Sequence, residues 1–311
     1  MILHKLLPIS IIIPTLNRHD SLVTTINSIL MFDYIPNQII IIDQSNYEIV
    51  QKNALFLKQI HKTTILHKIV EFKSSSKARN LGVKSVINDI IIFSDDDVEV
   101  YDDTLKNVYS NMNNNQIALI CGLDSSTYLN NQSFLPYILF YKNPFKMFEG
   151  HISLSMNGHF PYKISGNLVK TEWAMGFFFV VRKSLISKYN IHFDENLTDY
   201  SYGEDLDFSL RYIKSSNLLG LSSFICKNVN VKHNVSKEFR IPQESQIKKY
   251  YYARLYLIYK NKNSIFSYFH FYLFNFLYLL KYSFKPKVFK LHLKYILLTI
   301  SKFNLIKDGN L

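Results

Sequence analysis

Three consecutive carboxylates, Asp95, Asp96 and Asp97, follow directly on the apolar run Ile90-Ile91-Ile92-Phe93-Ser94. Adjacent anions repel, so a chain that gathers them at the mouth of a buried strand has a use for the combined charge. At the carboxyl end of a strand, where open α/β sheets bind ligands, they suit a hard divalent cation. Such a cation takes oxygen ligands and shares its other positions with water or substrate phosphates. A solvated acidic turn capping the next helix is the other reading of the same residues. Three more polar loops follow apolar segments earlier in the chain: Thr15-Leu16-Asn17-Arg18, Asp43-Gln44-Ser45 and Lys77-Ala78-Arg79-Asn80. They offer donors for a diphosphate and an acceptor for a base or ribose, which with the acidic run describes a nucleotide site. Singly, Asn17 and Asp43 are turn formers and Arg79 a surface helix residue. Their ordered recurrence after successive strands favours the joint reading.

The elements that must carry these loops alternate. Residues 9–14 read as a buried strand, and Asp20 or Ser21 caps a helix to about residue 32. A second strand (39–43), a helix (48–61), a short strand (64–70), a helix (76–86) and the strand 90–94 follow. This alternation predicts a parallel, doubly wound α/β sheet with ligand sites at strand ends. Beyond Asp97 the pattern loosens. A strand at 117–122 precedes a stretch, 124–171, without clear period, and long irregular segments in a compact domain are usually functional. A strand at 177–181 follows, Gly203-Glu204-Asp205 opens an amphipathic helix, and a short strand at 229–231 ends near His233.

The formal charge of +12 is unevenly placed. Residues 1–231 hold 21 basic and 21 acidic side chains, whereas residues 232–311 hold 15 basic and 3 acidic ones. This split marks a boundary: a catalytic domain over 1–235, with a nucleotide half to about 122 and an acceptor half over 123–235, then a basic aromatic helical tail over 236–311. Neither Cys121 nor Cys226 sits in a metal-ligand spacing, and two isolated cysteines fit a reducing cytoplasm. Residues 1–10 are too short, and too directly joined to Ile11-Ile12-Ile13, to read as a cleaved signal peptide.

The motifs Pro14-Thr15-Leu16-Asn17-Arg18, Ala78-Arg79-Asn80-Leu81-Gly82, the Asp-x-Asp of Asp95 and Asp97, and Gly203-Glu204-Asp205 together resemble glycosyltransferase family 2, the inverting nucleotide-sugar transferases with a GT-A fold, from about residue 9 to 233. The resemblance implies a Rossmann-like, mostly parallel sheet. It implies that Thr15, Asn17, Arg18 and Asp43 line the nucleotide pocket, that Arg79 lies near the diphosphate, and that Asp95, beside Asp96, contacts the ribose and sugar. Asp97 would ligate Mn²⁺ or Mg²⁺, with Asp95 and His233 close to the same ion. Asp205 would be the general base that deprotonates the acceptor hydroxyl, with Glu204 supporting the acceptor. Alone, Glu204 and Asp205 also fit acids drawn to a helix N-terminus by its dipole. Two departures bear on function. Gln44 stands where many relatives carry a second Asp, and no Gln-x-x-Arg-Trp element follows Asp205, since the only tryptophan is Trp173. The second favours addition of a single sugar over processive synthesis.

The tail begins with Lys248-Lys249-Tyr250-Tyr251-Tyr252-Ala253-Arg254 and runs into a 16-residue apolar, aromatic stretch at 265–280. That is shorter than the ~20 residues that span a bilayer. Phe289, Leu293, Ile296, Leu297 and Ile300 share one helical face flanked by lysines, a pattern that lies in the headgroup plane of anionic membranes. Packing on the catalytic domain or on a second subunit is the alternative. The expectation is a cytoplasmic enzyme, peripheral at the inner face of the plasma membrane, that transfers one sugar to a glycan or lipid-linked acceptor in bacterial surface polysaccharide synthesis. No nucleic acid is expected as partner, and a homodimer is compatible. Rival readings are a GT-A-like nucleotidyltransferase, which would not need Gly203-Glu204-Asp205, and a nucleic-acid-binding protein using the basic tail. Cutting near Ser264 is expected to leave a soluble, nucleotide-binding protein.

Overall fold

A computed structural model describes residues 4–124, 133–198, 202–234 and 242–309. The nucleotide half alternates strictly: β1 (Lys5–Thr15), α1 (His19–Leu30), β2 (Tyr34–Asp43), α2 (Tyr47–Leu57), β3 (Thr64–Ile69), α3 (Ser75–Val83) and β4 (Ile90–Ser94). Then come β5 (Val98–Val100), α4 (Thr104–Met112), β6 (Ile117–Leu123), the short α5 (Leu135–Ile138), the pair β7 (His151–Ile152) and β8 (Gly158–His159), β9 (Leu168–Lys170) and β10 (Phe178–Arg182). The chain continues through α6 (Lys183–Tyr189), α7 (Glu204–Asn217) and β11 (Ser222–His233) to four C-terminal helices: α8 (Gln243–Asn261), α9 (Ile265–Leu280), α10 (Pro286–Ser301) and α11 (Phe303–Lys307).

Among the described residues, one nine-stranded sheet runs in the order β3-β2-β1-β4-β10-β6-β11-β5, with β9 paired to β11. β1 to β4 are mutually parallel, and β10 runs antiparallel between β4 and β6. Side chains of a strand alternate between faces, and helices cover both faces here, so the central strands are apolar throughout. Ile9, Ile11, Ile13, Ile39 and Ile41 belong to the core beneath α1 and α4, while Ile12, Ile40 and Ile42 join Phe208 and Tyr212 of α7 on the other face.

Register brings the polar ends level. Thr15 pairs with Asp43, and Ile12 pairs with Phe93, which sets Thr15 beside the chain just past Ser94. The strand read at 229–231 is the end of a longer one, with a register shift between Ile225 and Asn230. α1 starts with no side-chain cap hydrogen bond; Asp20 sits in its first turn instead.

The C-terminal helices share a third core with the catalytic part. Tyr251, Leu255 and Ile258 of α8 pack with Trp173, Leu206 and Leu210, and with Phe271, Tyr295, Ile296 and Ile306 from the later helices. α10 therefore turns Ile296 inward, with Phe289 and Leu293 packed against this core, and leaves Leu297 and Ile300 exposed. The face expected to meet headgroups is largely spent on internal packing, because α8 offers it an apolar partner. Among the described residues no helix is long and apolar enough to cross a membrane.

Candidate active site

The loops at the ends of β1 and β4 and the start of α7 border one cavity of about 910 Å³. Thr15, Arg18, Gln44, Arg79, Asp95, Asp96, Glu204, Asp205 and His233 all line it, though they come from six separate stretches of chain.

Asp96 is the buried anchor of the first loop. Thr15 Oγ1 donates to its Oδ2 at 2.7 Å and Arg18 Nη1 to its Oδ1 at 3.0 Å, while Thr25 Oγ1 holds its backbone carbonyl at 2.8 Å. Burial pushes its carboxyl up to about 7, against the pull of Arg18 and Thr15. Its neighbours point elsewhere. Asp95, Asp97 and His233 each place a ligand atom within 4.8 Å of the others. The sheet causes this: His233 pairs with Val98 across β11 and β5, which lays the imidazole beside Asp97 with Nε2 and Oδ1 3.1 Å apart. Phe177 stacks on the ring at 5.0 Å. Burial lowers the His233 pKa, but the Asp97 hydrogen bond and charge outweigh it and hold the imidazole above its ordinary value. Two carboxylates and an imidazole at this separation suit Mn²⁺ or Mg²⁺, both of which accept oxygen ligands, with imidazole tolerated by the former.

Arg79 is buried at the floor of the cavity. Its Nη1 pairs with Glu204, its Nη2 reaches Asp95 at 2.7 Å and the Gly176 carbonyl at 3.2 Å, and its plane lies over Phe193. Ser76 Oγ donates to the second Glu204 oxygen at 2.7 Å. Burial holds the Glu204 carboxyl at about 7 despite Arg79. A buried pair of this kind ties α3 to α7 and sets where Asp205 stands, one residue further on.

Asp205 occupies the first turn of α7, entered through Gly203 at φ 79°, the left-handed region that favours glycine. Gly176 N–H donates to its Oδ2 at 2.7 Å and Leu206 N–H to its Oδ1 at 2.8 Å. A Cβ at position 176 would lie 3.1 Å from that Oδ2, so glycine permits the approach. Burial raises the Asp205 pKa, and the helix-start hydrogen bonds and Arg79 offset this only in part. The contest between helix dipole and desolvation thus ends with the carboxyl above its ordinary value.

Two expected pocket residues lie apart from this cavity. Asp43 is 0% exposed and its carboxylate is taken up by Ser45 N–H at 3.0 Å, Asn53 Nδ2 at 2.8 Å and His67 Nε2 at 3.0 Å. Burial raises its pKa, but these bonds together hold it below the ordinary carboxylate range. Asn17 sits at φ 55°, accepts from Asn46 N–H at 2.7 Å, and lines a second, shallower cleft of about 480 Å³ with Gln44, Ser45 and Lys73. Gln44 joins the two clefts and accepts from Ser74 N–H at 2.6 Å. Sequence reasoning missed Ser76, Asn53 and His67, which carry no motif. It also placed Lys248 and Lys249 in the tail, whereas both line the cavity.

The family model described as Glycosyl transferase family 2 matches residues 10–184. No curated protein matches the chain. Among solved structures, GalNAc-T7 with UDP, GalNAc and Mn²⁺ aligns with a TM-score of 0.57 at 15% identity, over 78% of this chain and 47% of that one. The mannosyltransferase PcManGT from Pyrobaculum calidifontis, in complex with GDP-Man and Mn²⁺, aligns at 0.54 and 12%, over 94% and 75%. Staphylococcus aureus TarS 1–349 in complex with UDP-GlcNAc aligns at 0.52 and 16%, over 80% and 65%. The chain spans 64% of the length of a further crystal structure of TarS 1–349. At these identities the likeness is one of fold.

Proposed function

The chain belongs to glycosyltransferase family 2, and from that premise we propose that it is a metal-dependent, inverting transferase that moves one sugar from a nucleotide-sugar donor to a glycan or lipid-linked acceptor in surface polysaccharide synthesis, at the anionic inner face of a membrane. One observation carries the reading: Asp205, held by two backbone N–H groups, shares a cavity with Asp95 and His233 of the Asp95–Asp97–His233 cluster. The acceptor hydroxyl must lose a proton as it attacks the anomeric carbon. A carboxylate whose pKa is raised by burial takes that proton more readily than a free one, and both Asp205 oxygens are fixed in direction by their donors. Attack from the base side with departure on the other inverts the anomeric centre in one displacement.

Held by Asp95, Asp97 and His233, a divalent cation would supply positive charge for the departing diphosphate. Lys248 lines the same cavity and adds positive charge on the protein's side, while Arg18, also in the lining, is paired with Asp96. Arg79 contributes differently from a diphosphate clamp: its charge is shared between Glu204 and Asp95, and it serves to place Asp205 and Asp95.

The test is a panel of nucleotide sugars incubated with the full chain and Mn²⁺ or Mg²⁺, following donor hydrolysis and binding by calorimetry. One donor is expected to bind and to be cleaved slowly only with metal present. Absence of any metal-dependent binding or cleavage, with salt-sensitive RNA binding in its place, would overturn the reading.

A further inference from the structure

The geometry points to a membrane-docking ledge, built from the outer face of α9 and the segment 134–148, that seats the mouth of the cavity on an anionic bilayer and so draws the acceptor from a lipid surface. Its last step, the acceptor, rests on the transferase reading; the docking does not.

α9 is apolar on both faces, unlike a surface helix in water. Phe271 and Leu279 face the protein together with the polar Ser267 at 0% and Asn275 at 3% exposed, while Phe266 at 73%, Phe269 at 66% and Leu280 at 68% face outward. The rotation is held by contacts rather than by chance. Asn275 Oδ1 accepts from Arg254 Nη1 at 3.1 Å, and His270 Nε2 meets the Phe140 carbonyl at 3.1 Å. Arg254 is itself buried between the Tyr250 and Phe271 rings, so the polar side of α9 answers a charge in the interior. A surface helix normally turns an apolar stripe to the core and polar residues outward, and one whose outer face is apolar as well suits an apolar medium outside.

The ledge extends beyond the helix. Leu139, Phe140, Phe145 and Phe148 are exposed on the neighbouring segment. Tyr141 joins the two, stacked on His270 at 6.2 Å and packed on Phe274 at 5.1 Å. Its hydroxyl accepts from Asn157 Nδ2 at 3.2 Å, and Asn157 lines the cavity. The apolar surface thus leads to the edge of the site. Exposed apolar patches of this extent on soluble proteins mark interaction surfaces.

Charge selects the occupant. Lys281, Lys285, Lys287 and Lys290 are exposed just past the end of α9, in a stretch of 80 residues with 15 basic and 3 acidic side chains. Two copies packed ledge to ledge would bring like charges together, whereas an anionic headgroup layer complements them. Aromatic residues favour the interfacial zone. At 16 residues α9 is ~24 Å long, which suits lying in that zone rather than spanning it.

The full chain, without any sugar nucleotide, is sedimented with phosphatidylcholine vesicles containing or lacking phosphatidylglycerol. It is expected to pellet with the anionic vesicles and to keep a bound fraction in high salt. Phe266→Ser/Phe269→Ser, and independently Phe145→Ser/Phe148→Ser, are expected to weaken partitioning about tenfold or more while Mn²⁺-dependent UDP or GDP affinity matches the parent's. Vesicle binding unchanged in both double variants, binding wholly abolished by salt, or a parent chain that ignores vesicles and dimerises through these residues would each overturn the ledge. A chain that docks but transfers no sugar would instead overturn the proposed function and leave the ledge standing.

Discussion

In its proposed role as general base Asp205 would have to be ionised to accept a proton, and its surroundings resist that charge. Because burial raises its pKa, the fraction in the basic form falls as pH drops through a value above the ordinary aspartate range. The acid limb of kcat/KM for transfer is therefore expected at higher pH than a solvated aspartate would place it. Asp205→Asn keeps the shape, removes the proton acceptor, and is expected to slow transfer by ~10²–10⁴-fold with Mn²⁺-dependent nucleotide affinity intact. If the variant kept the same limb, the titration would belong to another group, with Glu204, pushed up to about 7, the first to test. Asp97→Ala addresses the other side of the cavity. Calorimetry is expected to show nucleotide affinity that no longer responds to Mn²⁺, and an unchanged metal response would remove Asp97 from the cluster. At this scale the sequence was legible where side-chain chemistry and strand ends coincide, as in Asp95 to Asp97. It was not legible at Asp43, whose three partners include Asn53 and His67 from two different elements. A carboxylate after a strand looks the same in sequence whether it faces a ligand or a ring of internal donors.

Elements are held in place for this chemistry by one buried ionic contact. Arg79 on α3 reaches Glu204 at the start of α7 and Asp95 after β4, so three elements meet at a single guanidinium. Breaking a buried pair strands the remaining charge, at a cost of ~3–5 kcal/mol. Arg79→Met is expected to lower the melting temperature, and more at pH 8 than at pH 5.5. The sign follows from Glu204: its folded pKa is already above the ordinary value and rises further without Arg79, so raising pH forces a buried, unpaired charge that a lower pH neutralises. Equal destabilisation at both pH values would mean that packing on Phe193, not charge, is what Arg79 supplies; Arg79→Met/Glu204→Gln is expected to recover most of the loss. The alternating elements up to β4 were legible because their apolar runs carry period and punctuation together. The region from 124 to 171 was not. Its strands among the described residues are two or three residues long, too short to show a period, and Gly158 lies where a Cβ would meet the Trp173 ring at 2.5 Å, a constraint that only the fold reveals.

At the scale of the whole molecule, charge and packing draw different boundaries. Charge divides the chain near residue 232, which invited a cut near Ser264. Packing makes the tail part of the catalytic body, since α8 buries Tyr251, Leu255 and Ile258 against Trp173 and Leu206 on one side and against α9 to α11 on the other. A composition count registers surface lysines and cannot see which apolar face a helix spends internally. Removing residues 265–311 would take away Phe271, Tyr295, Ile296 and Ile306, all buried in that core. At ~1.5–3 kcal/mol for each fully buried large side chain, four such losses come to roughly 6–12 kcal/mol, the same order as the 5–15 kcal/mol that holds a typical domain together. The unfolded chain already buries part of that area, so this is an upper estimate, but halving it still consumes much of the margin. Chain 1–264 is therefore expected to aggregate or to melt far below the full chain, with α8 opened to protease first. A truncated protein that melts with the parent and binds UDP or GDP equally well would show that α8 and the catalytic part are stable without the later helices. Because the cut removes core and outer face together, loss of vesicle binding after truncation cannot separate the two, whereas Phe266 and Phe269, exposed on α9, can be changed with the core left whole.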